Sequence, residues 1–183
     1  MAGRRILVAI ALCLFSLVGF GQESGNAVVL VYNSKSTASK QVADHYAAKR
    51  KVPAEQIIAL PLSESEAISR DEFETKLEQP LWAELRARKL FVYPSRDAQP
   101  STSTQQCNLV ESKIRYAVLC YGVPVKINPD PNRKEEGADK LQLELRRNEA
   151  AVDSELALLP LLDRKPQITG LLPNPSYGVT NAT

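Results

Sequence analysis

The segment Ala27-Val-Val-Leu-Val-Tyr32 is apolar throughout. An uninterrupted run of this length suits a strand covered on both faces, the situation of strands in parallel sheets. Asn33-Ser-Lys-Ser-Thr37 breaks it, and from Ala38 to Lys51 the residues Val42, Ala43, Tyr46 and Ala47 form an apolar stripe at helical spacing. Val52-Pro53 stops that helix, because proline restricts the residue before it. Ile57-Ile-Ala-Leu60 follows as a second short strand. Strand, helix and strand with short connections make a β-α-β unit, which favours parallel pairing through a right-handed crossover.

Ser69-Arg-Asp-Glu72 has the spacing of a capping box, a hydroxyl followed three residues later by a carboxylate. The helix it opens carries Phe73 and Leu77, and a second helical stretch with Leu81, Trp82 and Leu85 follows Pro80. Residues 94–106 are polar and low in complexity, the composition of an exposed loop. The strongest strand signal is Ile114-Arg-Tyr-Ala-Val-Leu-Cys-Tyr121, closed by Gly122-Val-Pro124, with Val125-Lys-Ile127 as a further short extended piece. After a charged, proline-containing loop over 128–139, Leu141, Leu145, Val152, Leu156 and Leu159 predict one face of a long helix ended by Pro160. These elements predict an α/β fold of three layers. Its mainly parallel sheet is built from 27–32, 57–60 and 114–121 and flanked by helices, in a Rossmann-like or caspase-like topology. Residues 166–183 hold turn formers and no clear element, so the expected α/β domain, residues 22–183, reads as incomplete at its C-terminus.

The N-terminus reads as an export signal. Arg4 and Arg5 precede an apolar run from Ile6 to Val18, and Gly19-Phe-Gly21 supplies small residues at the −3 and −1 positions. Residues 1–21 are the expected signal peptide, with Gln22 as the mature start. An uncleaved N-terminal anchor is the alternative, but the run is shorter than the roughly 20 apolar residues a membrane span needs. Location outside the cytoplasm (periplasm, cell surface or extracellular) follows. So does the expectation that the mature chain keeps no stable membrane span. Losing Arg4 and Arg5 leaves basic side chains equal in number to the 21 acidic ones. A nucleic-acid binder is normally basic on one face, and here the signs alternate along the chain, so nucleic acid is not an expected partner. Cys107 and Cys120 remain after cleavage. An oxidising compartment permits a disulfide between them, while Cys120 packed as a small apolar residue on a buried strand is the other reading.

Four stretches carry a resemblance to a known group. They are Tyr46-Ala-Ala-Lys-Arg50-x-x-Pro53, Ile68-Ser-Arg-Asp-Glu-Phe73, Ile114-Arg-Tyr-x-Val-Leu-x-Tyr-Gly-Val-Pro124 and Val152-Asp-Ser-Glu-Leu156. In this order they resemble a family of uncharacterised exported bacterial proteins, over most of residues 27–177. The resemblance implies no activity. It does imply a longer protein, of which this chain is a front part. The order of strands and helices is also similar to that of caspase-like and gingipain-like peptidases, at the level of fold alone.

The candidate sites lie where an α/β sheet ordinarily binds ligands, beyond the C-terminal ends of its strands. Asn33 and Ser34, with Ser36 and Thr37, offer amide and hydroxyl contacts to an anion at a helix N-terminus. The glycines of a dinucleotide or P-loop fingerprint are missing, and helix capping alone accounts for the same composition. Tyr121 and Gly122 end the strongest strand, where Tyr121 or Cys120 could line a pocket. A cysteine nucleophile needs a base, and the one histidine, His45, falls in mid-helix, so a Cys120–His45 dyad is not expected. Asp153 and Glu155 could serve a cation or acid–base chemistry, but residues two apart on a helix point about 200° apart and cannot share a site. Of the two, Asp153 is the candidate. One histidine and two separated cysteines exclude a zinc pattern, and no cofactor or metal is expected. Two functional classes follow: an exported binding or structural module without catalysis, and a hydrolase whose catalytic residues lie beyond Thr183.

Overall fold

A computed structural model describes residues 25–93, 109–133 and 138–164. The expected signal peptide, the polar stretch 94–106, Cys107 and the tail from 165 onward lie outside them. Among the described residues no helix is long and apolar enough to cross a membrane.

The protein is α/β, with a parallel sheet of three strands at its centre. Strand β1 (Val28–Asn33) lies between β2 (Ile57–Leu60) and β6 (Tyr116–Leu119) and runs parallel to both. Its registers place Leu30 opposite Ile57 on one side and opposite Val118 on the other. Being central, β1 buries both faces, as its unbroken apolar run requires. Val29 and Val31 join a large core with Ile58, Phe73, Leu77, Leu81, Leu85, Ile127, Val152 and Leu156. Val28 and Leu30 join a smaller core with Ala43, Val52 and Cys120.

Helix α1 (Thr37–Arg50) covers the smaller core. Ser36 caps its N-terminus, its hydroxyl accepting from the Ser39 N–H. Lys51, in the left-handed conformation at φ 55°, closes the other end, and Val52 donates to the Ala47 carbonyl as the chain leaves toward Pro53. The buried stripe of α1 differs from the expected one by a residue. Ser39 and Ala43 are buried with Tyr46 and Ala47 partly so, whereas Val42 is 44% exposed. A polar residue stands on the inner face because its hydroxyl has a partner there, the Asn33 N–H.

Residues 70–87 correct the expected break at Pro80. Helix α2 (Arg70–Glu72), a π-helical segment (Phe73–Glu78) and helix α3 (Gln79–Ala87) follow one another without interruption. Gln79 N–H bonds back to the Glu74 carbonyl, and Pro80, which has no N–H to give, comes immediately after this wide turn. The Ser69 cap is present, its Oγ accepting from Glu72 N–H at 3.1 Å. The apolar face Phe73, Leu77, Leu81 and Leu85 is fully buried against the sheet.

Two small sheets flank the main one. Strand β4 (Phe91–Val92) pairs antiparallel with β5 (Glu111–Ser112). Strands β3 (Ala67–Ile68), β7 (Lys126–Ile127) and β8 (Ala150–Ala151) form the other, β7 lying parallel to β3 and antiparallel to β8. The predicted strand 114–121 narrows to β6, whose Tyr116 and Ala117 are exposed, so it borders the main sheet rather than filling its centre.

The long helix predicted over 141–159 does not form. In its place stand two 3-10 turns (Ala138–Lys140 and Leu143–Arg146), β8, the short helix α4 (Val152–Leu156) and a further 3-10 segment (Leu159–Arg164). Tertiary bonds override the helical period here. Ala150 and Ala151 are drawn into pairing with β7. Asn148 is fixed to the preceding loop, its Oδ1 accepting from Asp130 N–H and its Nδ2 donating to the carbonyls of Asp130 and Arg133.

A buried ion pair joins this last segment to the continuous helix over 70–87, the long helix of this structure. Arg70 Nη1 lies 3.0 Å from Glu155 Oε1, and Arg70 Nη2 donates to the Asn148 carbonyl at 2.6 Å. Removing one partner of such a pair strands a buried charge. Arg70→Met should therefore cost about 3–5 kcal/mol in urea denaturation, and Arg70→Met with Glu155→Met should recover most of that loss.

Candidate functional site

At the C-terminal edge of the main sheet, Asn33 is completely buried and fully engaged. Its Nδ2 donates to the carbonyls of Gly122 at 2.9 Å and Ser63 at 3.2 Å. Its Oδ1 accepts from the N–H groups of Lys35 and Leu62, both at 3.1 Å, and its own N–H reaches Ser39 Oγ at 2.9 Å. One amide thus ties together the loops that leave all three strands. Every hydrogen-bonding group of the Asn33 side chain is spent on the chain itself, which leaves none for an anion.

Ser34 is exposed and sits in the turn, its N–H bonded to the Leu60 carbonyl. Gly122 adopts φ +83°, a region that favours glycine, and stands over Ser36 and Ser39. Tyr121 is 70% exposed beside it. The structure therefore brings Asn33, Ser34 and Gly122 to one edge, in a self-bonded arrangement.

Cys120 is buried, without a disulfide partner among the described residues, and that burial pushes its thiol pKa up, the opposite of what a nucleophile needs. Cys107, its candidate disulfide partner, lies outside the described residues. His45 is exposed on α1. Asp153 and Glu155 diverge as their spacing demands. Asp153 is exposed, accepts from the Ser154 N–H, and lines an apolar groove of about 350 Å³ along β6 with Arg115, Leu156 and Pro160. Glu155 is the buried one, held by Arg70.

A cleft of about 640 Å³ opens on the other side of Glu155. The long helix supplies Arg70, Glu74, Glu78, Gln79, Trp82 and Ala83 to one wall. The loop after β7 contributes Arg133, and Glu155, Leu158 and Leu162 come from α4 and the segment after it. Glu74 and Glu78 face the same space because they are one turn apart on the helix. Arg133 pairs with Glu74 and Arg70 with Glu155, so two ion pairs flank Glu78. Glu78 itself makes no hydrogen bond or ion pair among the described residues.

Its surroundings hold the Glu78 carboxyl up at about 7. Desolvation is the largest cause. The negative charges of Glu74 and Glu155 add to it, and Arg70 and Arg133 oppose it. Trp82 is fixed at the cleft wall, its Nε1 donating to Tyr93 Oη at 3.1 Å and its ring lying 4.4 Å under the Arg86 guanidinium. Arg70 is 2% exposed, and its Nε is the one buried side-chain polar atom without a hydrogen-bond partner among the described residues.

Glu78 and Trp82 were not distinguishable as site residues in the sequence. Lys76-Leu-Glu-Gln79 reads as an ordinary solvated helix face, and only the approach of Arg133 and of residues 155–162 encloses it. Compared with known proteins, the chain matches no protein-family model, no curated protein and no solved structure.

A carboxyl raised from 4.5 to about 7 on folding contributes stability that is fully present below pH 4.5 and lost as pH rises through 7. Wild-type protein should therefore lose stability between pH 5 and 8 relative to Glu78→Gln. After discounting for solvent screening at this half-buried group, the difference is about 1 kcal/mol. Urea denaturation of both proteins at the two pH values measures it.

Proposed function

We propose that the protein is an exported, non-catalytic binding module whose ligand site is the cleft between the long helix and residues 155–162. The observation that carries this reading is the Glu78 carboxylate, set in a concave, partly apolar space between two ion pairs and without a partner of its own among the described residues. A charged group kept in such a place costs folding stability unless something answers it, and binding clefts combine apolar walls with a few such polar groups. The usual ligand edge of the sheet offers less, because Asn33 has consumed its own hydrogen-bonding capacity. The buried, high-pKa thiol of Cys120 supports a role without nucleophilic catalysis.

The same reading includes a three-layer arrangement, with α1 on one face of the main sheet and the long helix with α4 on the other, in keeping with the two cores of β1. It also includes membership of the exported bacterial family that the four sequence stretches resemble.

Trp82 is the only tryptophan of the chain, so its fluorescence reports on the cleft. Titration with a panel of small amines, carboxylic acids, amino acids and sugars should give a saturable change with at least one class. A flat response to all of them at millimolar concentration, confirmed by calorimetry, removes the cleft as a ligand site. Export is checked separately. The chain expressed with its leader in a bacterial host should be recovered outside the cytoplasm with Gln22 as its N-terminal residue, and retention of Met1 there would refute cleavage.

A further inference from the structure

Resting on the reading of the cleft as a ligand site, we infer that its ligand is an organic cation: a protonated primary amine on an aliphatic stem, as in a lysine side chain. The charges in the cleft select the sign. Arg70 and Arg133 are each matched by a carboxylate, Glu155 and Glu74, and the third carboxylate, Glu78, has no ion-pair partner among the described residues. An incoming anion would meet three carboxylates and two guanidinium groups already engaged. An incoming ammonium completes a third pair.

The walls select the stem. Leu158, Leu162 and Ala83 offer apolar surface beside Glu78, long enough for a chain of methylenes. The ring of Trp82 already carries the Arg86 guanidinium over one face, so the ammonium is drawn to the Glu78 carboxylate rather than to the indole. Arg70, almost wholly buried at the cleft wall, is already held by Glu155 and the Asn148 carbonyl, so its charge is not offered to an anion.

Binding of this kind is coupled to a proton. The groups facing Glu78 are Glu74 on its own helix, Arg70 at the start of that helix, Glu155 on α4 and Arg133 on the loop after β7, and together with burial they set its ionisation near neutrality. A lysine amine stays protonated throughout this range, with a pKa of about 10.4. The ionised fraction of Glu78, and with it the affinity, therefore rises about tenfold from pH 6 to pH 8.

The test is titration of the chain with Nα-acetyl-lysine methylamide, its ε-acetylated form and glutarate, followed by Trp82 fluorescence and calorimetry at pH 6 and pH 8. The inference expects the amine to bind, about tenfold more tightly at pH 8, and the two other compounds to fail. Glu78→Gln should abolish binding while its unfolding midpoint at pH 6 is no lower than that of the wild type, and Glu78→Asp should retain pH-dependent binding. Amine binding that ignores pH or survives Glu78→Gln, or preference for glutarate or the acetylated form, overturns the cation while leaving the cleft a ligand site. Silence from all three compounds overturns the inference, and silence from the wider panel as well removes the site on which it rests.

Discussion

The buried pair of Arg70 and Glu155 is the interaction on which the rest of the structure depends. Two charges taken out of water are tolerated only when each finds the other and the remaining hydrogen-bonding groups are met. Arg70 meets the first condition with Glu155 and most of the second with the Asn148 carbonyl, its Nε alone having no acceptor among the described residues, and its guanidinium also lies 5.9 Å from the centre of the Phe73 ring. The consequence is geometric. The start of the long helix, the Asn148 anchor and α4 are held in one place, which closes the large core over Val152 and Leu156. It also fixes one side of the cleft, so the charge that Glu78 experiences is set in part by a residue far away in sequence.

Asn33 plays the corresponding part at the C-terminal edge of the main sheet. Strand ends diverge into loops with unpaired backbone groups, and those groups must be met if they are buried. One side-chain amide meets four of them, from Lys35, Leu62, Ser63 and Gly122. The edge at which many α/β proteins open toward a ligand is here locked to itself. The unanswered polarity of the molecule lies instead along the long helix, where the wide π-helical turn stands between Arg70 and Trp82.

Legibility of the fold followed the range of the forces involved. Val28–Asn33 was readable because a strand buried on both faces is apolar along most of its length, Ile57–Leu60 because it is a short apolar run after a helix stop, and the Ser36 and Ser69 caps because capping is a local hydrogen bond. The segment 141–159 was misread for the converse reason. Its leucines have helical spacing, but Asn148 and β8 are claimed by Asp130, Arg133 and β7, partners that no local pattern displays. Pro80 was read as a break because a proline inside an α-helical ladder is one, and the preceding π turn changed the ladder. Of the candidate residues, Asn33 and Gly122, read as two separate edge positions, lie together at one sheet edge as mutual partners. Between the two carboxylates of α4, the sequence pointed to Asp153, while Glu155 is the one that borders the cleft.

By itself the sequence determined the parallel β-α-β start, the two helix caps, the turn at Gly122 and the divergence of Asp153 from Glu155, because each rests on steric or hydrogen-bonding rules that act within a few residues. Only the tertiary structure decided which charges are buried, which are matched and which one is left over. Arg70 and Glu155 are 85 positions apart and Glu74 and Arg133 are 59 apart, and electrostatic pairing across such separations has no signature along the chain. The difference between Glu78 and any other glutamate on a helix surface is its neighbours in space, and those neighbours are supplied by the fold.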